Sequence, residues 1–164
     1  MPKSPLARDL IQTAEFLVGA SPKQKPRQAD LRRAVSTAYY AVFHTLCFNC
    51  ANCIVGKGKD YPKAAWRRSY RALNHGFAKD ACDHTKPKKA GVLDRFPDEI
   101  KDFAYLFYDM QIKRHLADYD PYHKLTKSEV ETDISAAKSA IVYFEEAPLS
   151  DRKAFTTLVL FQNR

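Results

Sequence analysis

Apolar residues recur every three or four positions along most of this chain, which is the spacing that builds one face of an α-helix. The longest such segment covers residues 28–53, and its apolar face is formed by Leu31, Val35, Ala38, Val42 and Leu46. Hardly any segment shows the two-residue alternation of a half-buried strand. The sequence therefore predicts an all-α protein, an antiparallel up-and-down helical bundle of about five helices.

Capping and turn residues place the five helices at about 5–19, 28–53, 60–82, 97–119 and 127–147. Ser4 and Pro5 suit the start of the first helix, and Thr126 followed by Glu129 matches a capping box for the last. The intervening stretch 83–96 is expected to be a basic loop. We therefore assign residues 1–147 to the bundle and residues 148–164 to a C-terminal extension that packs on the bundle or on a partner.

The charge of the chain is unevenly distributed. The formal net charge is +8, and the segment 57–95 alone holds eleven basic and four acidic residues. A basic surface favours polyanions, and nucleic acid is the first of these to consider. No apolar run approaches the roughly 18 residues of a membrane span, and the N-terminus lacks the apolar region of a signal peptide. We therefore expect a cytoplasmic protein without a membrane partner.

Three cysteines and a histidine are spaced three residues apart on the second predicted helix, at His44, Cys47, Cys50 and Cys53. A step of three residues advances about 300° around a helix, so each member drifts about 60° from the one before. One tetrahedral site therefore cannot collect all four side chains. We expect no metal ion here, and we expect the thiols to pack as small hydrophobes.

A polar stripe runs beside the apolar face of the second helix, through Arg33, Thr37, Tyr40 and His44. One interpretation is a solvated or partly buried face with Tyr40 half in the core. The other is one wall of a groove in which Arg33 binds a phosphate, Tyr40 stacks or hydrogen-bonds, and His44 titrates near neutral pH. With His75 from the third helix, Arg33, Tyr40 and His44 are the candidate nucleic-acid-binding residues.

An arginine occupies a position on the fourth predicted helix where the apolar pattern requires a buried residue. Phe103, Phe107, Met110 and Arg114 fall on one helical face. A guanidinium stays charged, so Arg114 must meet a carboxylate, a partner chain or a phosphate. One alternative is an exposed pair with Asp118, one turn away. The other is a phosphate bound by Arg114.

The second alternative makes Arg114, His115 and Tyr119 candidate catalytic residues. The sequence contains no phosphate-binding loop, dinucleotide fingerprint, zinc-binding His pair or nucleophile elbow. The chemistry that remains is acid–base catalysis with cationic stabilisation of a phosphate, without a metal or other cofactor. RNA cleavage suits this set, because the 2′-hydroxyl of RNA is itself the nucleophile.

Over residues 5–147 the sequence resembles the HEPN family (higher eukaryotes and prokaryotes nucleotide-binding domain). The resemblance is carried by LRRAVSTAYYAVFH at 31–44, NHG at 74–76 and RHLADYDP at 114–121, followed by a late helix with small residues at Ala136, Ala137 and Ala140. It implies an up-and-down helical bundle that commonly forms a homodimer with a cleft at the seam. It also implies an RNA or nucleotide ligand, and a nucleotidyltransferase as a possible antitoxin or binding partner.

Catalytic members of the HEPN family are metal-independent endoribonucleases. Their motif is an arginine, a polar residue, and a histidine after four to six intervening residues. Arg114 and His115 match its start, but Tyr119 follows after four intervening residues and His123 only after eight. A phenol is a poorer proton acceptor than an imidazole at neutral pH. The resemblance therefore leaves two hypotheses: a toxin- or defence-related endoribonuclease, or a non-catalytic module that binds RNA, nucleotides or a nucleotidyltransferase.

Overall fold

The computed structural model describes residues 1–19 and 25–162. These residues form eight α-helices and no strand, so the predicted all-α class is confirmed. The helices are α1 (Pro5–Gly19), α2 (Gln28–Ile54), α3 (Lys63–Tyr70), α4 (His75–Ala81), α5 (Pro87–Leu93), α6 (Asp98–Tyr119), α7 (Lys127–Glu146) and α8 (Leu149–Leu160).

The helix count differs from the predicted five at three places. The third predicted helix is divided into α3 and α4, because the Asn74 side chain accepts a hydrogen bond from the backbone N–H of Phe77 and so starts a new helix. The expected basic loop contains α5, which begins with Pro87 at its first turn and buries Leu93. The C-terminal extension forms α8, which packs on α2, α4 and α6.

Local signals set the helix ends that the sequence predicted well. Thr126 and Glu129 form the predicted capping box, with Glu129 N–H donating to Thr126 Oγ1 over 3.2 Å and Thr126 N–H donating to Glu129 Oε2 over 2.7 Å. At the end of α2, Gly56 adopts a φ of +89°. That left-handed conformation turns the chain away from the helix axis and favours glycine.

The core is built around α2, which contacts α1, α3, α6, α7 and α8. An aromatic cluster joins α6, α7 and α8, with the rings of Phe103 and Phe144 stacked 4.2 Å apart and Phe155 against both. All three side chains are fully buried. No helix within the described ranges is long and apolar enough to cross a membrane.

A second set of contacts fixes α2 against the end of α6. The Arg32 guanidinium donates to the backbone oxygens of Ala117 (3.0 Å), Pro121 (3.3 Å) and His123. These acceptors include the otherwise unpaired carbonyl end of α6, where a cation is favourable. The middle of α2 is thereby held beside Arg114.

Candidate functional site

Arg114 lies in the interface between α6 and α2, with a side chain that is only 14% exposed. Its guanidinium carbon lies 5.4 Å from the ring centre of Tyr39 and 5.8 Å from that of Tyr40, within the range of a cation–π contact. Its Nη1 is 3.5 Å from Asp118 Oδ2, which also accepts a hydrogen bond from Ser36 Oγ over 3.2 Å. The ion pair with Asp118 therefore exists, but it is largely covered, unlike the exposed pair that the sequence suggested.

Two buried polar atoms of α6 have no hydrogen-bond partner among the described residues: Arg114 Nε and Gln111 Oε1. Leaving a buried polar group unsatisfied costs about 1–3 kcal/mol, and more when the group is charged. Native proteins keep few such atoms. Arg114 Nε is thus a buried donor without an acceptor among the described residues, and a ligand in this conformation would have to reach Arg114 through its other nitrogens.

His75 reaches the same place from the start of α4. Its Nδ1 lies 2.6 Å from the hydroxyl oxygen of fully buried Tyr39, and its ring stacks on Phe43 with centroids 3.7 Å apart. The Tyr40 ring meets it edge-on at 6.0 Å. Because Nδ1 is occupied by Tyr39, Nε2 is the nitrogen left to exchange a proton with a ligand.

A second tyrosine–histidine pair lies one helical turn further along α2. His44 Nδ1 is 2.8 Å from the hydroxyl oxygen of Tyr70 on α3, and the two rings stack. Burial lowers the pKa of His44 and raises the pKa of Tyr70 to about 12. Both side chains are therefore neutral at pH 7.

The charge of Arg114 and burial together set the protonation state around His75. Burial, the nearby Arg114 guanidinium and His44 each lower the pKa of His75. Burial raises the pKa of Tyr39, although the positive charge of Arg114 opposes that effect. At neutral pH the cluster therefore holds one cation, Arg114, beside a neutral imidazole that is able to accept a proton.

The structure brings some of the predicted site residues together and separates others. Tyr40, His44, His75 and Arg114 form one polar cluster. Arg33 is exposed on α2 and makes no side-chain hydrogen bond or ion pair with the described residues. His115 and Tyr119 pack on each other at 5.0 Å and are exposed, with Tyr119 66% accessible. They lie about 100° and 140° around α6 from Arg114.

Three residues of the cluster were not among the site residues predicted from the sequence: Ser36, Tyr39 and Tyr70. Their roles depend on how the helices pack against one another, and the spacing of residues along one helix does not predict that packing. The adjacent tyrosines at 39 and 40 were the nearest sequence signal. Only Tyr40 fell on the polar stripe, whereas the buried Tyr39 makes the hydrogen bond to His75.

Two of the three cysteines of α2 are buried, and the third, Cys53, is half-buried. Cys47 and Cys50 are buried, and burial raises the pKa of both thiols, that of Cys50 to about 12. Within residues 1–19 and 25–162, no three His, Cys, Asp or Glu side chains are grouped so that they could hold a metal ion.

Comparisons of the chain with protein-family models, with curated proteins and with solved structures returned no match. Inference about function must therefore start from the Arg114 cluster and from the sequence resemblance.

The half-buried imidazoles of His44 and His75 make the stability of the fold depend on pH. Each has a lowered pKa in the folded state, so as pH falls below about 6.5 the unfolded chain takes up protons first. Above that pH the two neutral imidazoles contribute fully to the stability of the fold. This contribution is lost as the pH falls to the pKa values that they have in the folded protein. We expect the melting temperature to fall between pH 7.5 and 5.5, and to fall less in His75→Asn. Equal losses in both proteins would contradict this assignment.

Proposed function

We propose that this chain is a HEPN-type, metal-independent endoribonuclease, toxin- or defence-related and cytoplasmic, that cleaves RNA with Arg114 at the scissile phosphate. The observation that carries the proposal is the Arg114 cluster. A covered guanidinium with an unsatisfied Nε lies beside a neutral histidine whose Nδ1 is held by Tyr39. A phosphate oxygen is an acceptor that complements Arg114, and the 2′-hydroxyl of the same nucleotide is a proton donor that complements His75.

The reaction follows from these two groups. In the tautomer in which His75 Nδ1–H donates to the Tyr39 hydroxyl oxygen, Nε2 carries no proton, and it accepts the proton of the 2′-hydroxyl while the 2′-oxygen forms a bond to phosphorus. Arg114 stabilises the additional negative charge on the phosphate oxygens, where a fixed cation in a covered site is most effective. The bond from phosphorus to the 5′-oxygen breaks, that oxygen takes a proton from water, and the hydroxide so formed removes the proton from His75. The products are a 2′,3′-cyclic phosphate and a 5′-hydroxyl end.

The placement of His75 changes which residue we propose as the proton acceptor. His115 and Tyr119 follow Arg114 in sequence as the HEPN motif does, but they project from another part of the α6 surface. His75 contacts the same tyrosines as Arg114. We therefore propose His75 for proton transfer, and we keep His115 and Tyr119 as residues that a second copy of the chain would bring to the cleft.

We also propose that the chain has the up-and-down helical bundle of the HEPN family and forms a homodimer. Packing of α2 against α1, α6, α7 and α8 supports the antiparallel up-and-down bundle. Exposure of Leu116, Tyr119 and Tyr122 at the end of α6 supports a homodimer seam there. Sedimentation equilibrium is expected to give a dimer for the wild type and a monomer for Tyr119→Asp. A wild-type monomer at high micromolar concentration would contradict the seam.

The decisive experiment is cleavage of end-labelled tRNA and mRNA by the purified protein in EDTA. We expect products that carry a cyclic phosphate, which acid treatment opens to a 2′- or 3′-monophosphate. The same RNA with 2′-O-methyl groups is expected to be bound but not cleaved, since its nucleophile is blocked. Cleavage of the methylated RNA, or an absolute need for a divalent ion, would contradict the mechanism.

One observation favours a second candidate, a non-catalytic module that binds RNA or nucleotides, or docks on a nucleotidyltransferase. Arg114 already has a carboxylate partner in Asp118, which reduces its net charge toward a phosphate. An arginine neutralised in this way still positions a ligand. Binding of RNA without cleavage, under conditions where the protein is folded and dimeric, would support this candidate instead.

A further inference from the structure

The strongest feature outside the Arg114 cluster is the charge on α3 and the turn after it. Arg67, Arg68 and Arg71 are exposed and have no carboxylate within ion-pair distance in the part of the chain that the structure describes. With Ala64 and Ala72 they line an open groove of about 610 Å³. We call these three arginines and their groove the α3 face.

The structure divides the basic segment 57–95 into two parts that differ in electrostatics. On the later part, Lys86 and Lys89 each lie 3.0 Å from a carboxylate oxygen of Asp80, and Lys86 also approaches Asp83 at 3.4 Å. The charges of Lys86 and Lys89 are therefore locally compensated. The α3 face has no such compensation, so much of the positive excess of this segment projects from α3.

The way α3 is held leaves its arginines free for a ligand. The helix buries no residue, and it is fixed to α2 by two half-buried aromatic side chains. Trp66 Nε1 donates to Asn52 Oδ1 over 2.9 Å, and the Tyr70 hydroxyl meets His44. Arg67 lies in the last turn of α3 and Arg71 is its C-cap residue four positions later, so both present a guanidinium group to solvent.

The α3 face adjoins the Arg114 cluster at Tyr70. Arg71 follows directly after Tyr70, which reaches His44, and His44 neighbours Tyr40 beside Arg114. A strand with a phosphate at Arg114 therefore has a path across Tyr70 to the arginines. The eight residues of α3 extend over only about 12 Å. That length is too short for the two successive minor grooves that duplex recognition uses, and it suits a single strand.

We propose that the α3 face binds the phosphate backbone of single-stranded RNA flanking the nucleotide held at Arg114. This inference rests on the proposed function, because it takes the Arg114 cluster as the place where the RNA is held. Each arginine contributes a phosphate contact and releases counterions on binding, and the contacts carry no base specificity. The α3 face thus favours unpaired stretches of RNA, while the cluster selects the nucleotide.

The test compares two triple variants with the same loss of charge. One replaces Arg67, Arg68 and Arg71 with glutamine, and the other does so at Lys88, Arg95 and Lys153, which are also exposed and without an ion-pair partner in the described residues. The probe is a fluorescent 2′-O-methyl single-stranded RNA, measured by anisotropy from 50 to 200 mM KCl.

We expect the slope of log affinity against log salt to be shallower by about 2 in the α3 variant and to keep its wild-type value in the control, since each single-strand phosphate contact contributes about 0.7. The wild type should then lose roughly 20-fold more affinity than the α3 variant between 50 and 200 mM salt. Circular dichroism and melting temperature should match the wild type, because all three arginines are solvent-exposed.

Three outcomes overturn the inference. The first is the same salt slope for both triple variants, and the second is a larger change of slope with duplex RNA than with single-stranded RNA. The third is displacement of the labelled RNA by polyglutamate as effectively as by unlabelled RNA. Failure of the proposed function gives a different result. If the wild type cleaves RNA and the α3 variant has the wild-type salt slope, only the role of the α3 face is refuted. If the salt slopes differ as predicted but the wild type does not cleave RNA, only the proposed nuclease activity is refuted.

Discussion

Arg114→Ala is expected to lower the rate of metal-free RNA cleavage by about 10²- to 10³-fold, the effect of removing one donor that stabilises charge in a transition state. The reason is the position of the guanidinium, which is covered by Tyr39 and Tyr40 and has an unsatisfied Nε. Single-turnover cleavage of an end-labelled RNA in EDTA measures the effect directly.

Two further variants separate chemistry from folding in this experiment. Arg114→Lys keeps the positive charge but removes the planar fork, so we expect an intermediate rate and a stability close to wild type. Arg95→Ala removes an exposed arginine that has no ion-pair partner in the described residues, and it should leave cleavage unchanged. A full rate in folded Arg114→Ala would remove Arg114 from the mechanism.

His75→Asn is expected to lower cleavage by about 10²- to 10⁴-fold while RNA binding persists, because general acid–base catalysis contributes a factor of that size. Asparagine places its amide N–H near the position of Nδ1, so it is able to keep the hydrogen bond that Nδ1–H donates to Tyr39. It has no group that accepts a proton at the position of Nε2. The binding constant for 2′-O-methyl RNA and the single-turnover rate together distinguish this effect from unfolding.

The pH profile provides a readout that a merely structural role of His75 would not change. Because burial, Arg114 and His44 lower the pKa of His75, wild-type cleavage should stay high below pH 6.5 and decline only as His75 becomes protonated. That acid limb should be absent from the residual activity of His75→Asn. His84→Asn, which alters an imidazole bound to Asp109, is the matched control and should retain both rate and profile. An unchanged acid limb in His75→Asn would assign the proton transfer to another group.

Several features of the fold could be predicted because they depend on neighbours in sequence. The apolar face of α2 and the start of α7 follow from residues within one or two turns of each other, and the structure confirms the all-α class. The unusual position of Arg114 could be predicted for the same reason, because this charged residue interrupts an apolar helical face that includes the buried Phe107 and Met110. By contrast, the break between α3 and α4 was missed although its signal is local: the Asn74 side chain accepts a hydrogen bond from the N–H of Phe77 and caps α4.

The sequence by itself thus determined the helical class, the main amphipathic faces and the need of Arg114 for a partner, since each arises from spacing along one helix. Only the tertiary structure decided that His75 meets Tyr39, 36 residues away, and that Tyr119 faces solvent. It also decided that Asp80 compensates the charges of Lys86 and Lys89 while the arginines of α3 remain uncompensated. These outcomes depend on how helices pack and on which side chains their packing leaves within hydrogen-bonding distance. The distances between side chains on different helices are set by the packing of those helices, and the spacing of residues within one helix does not determine them.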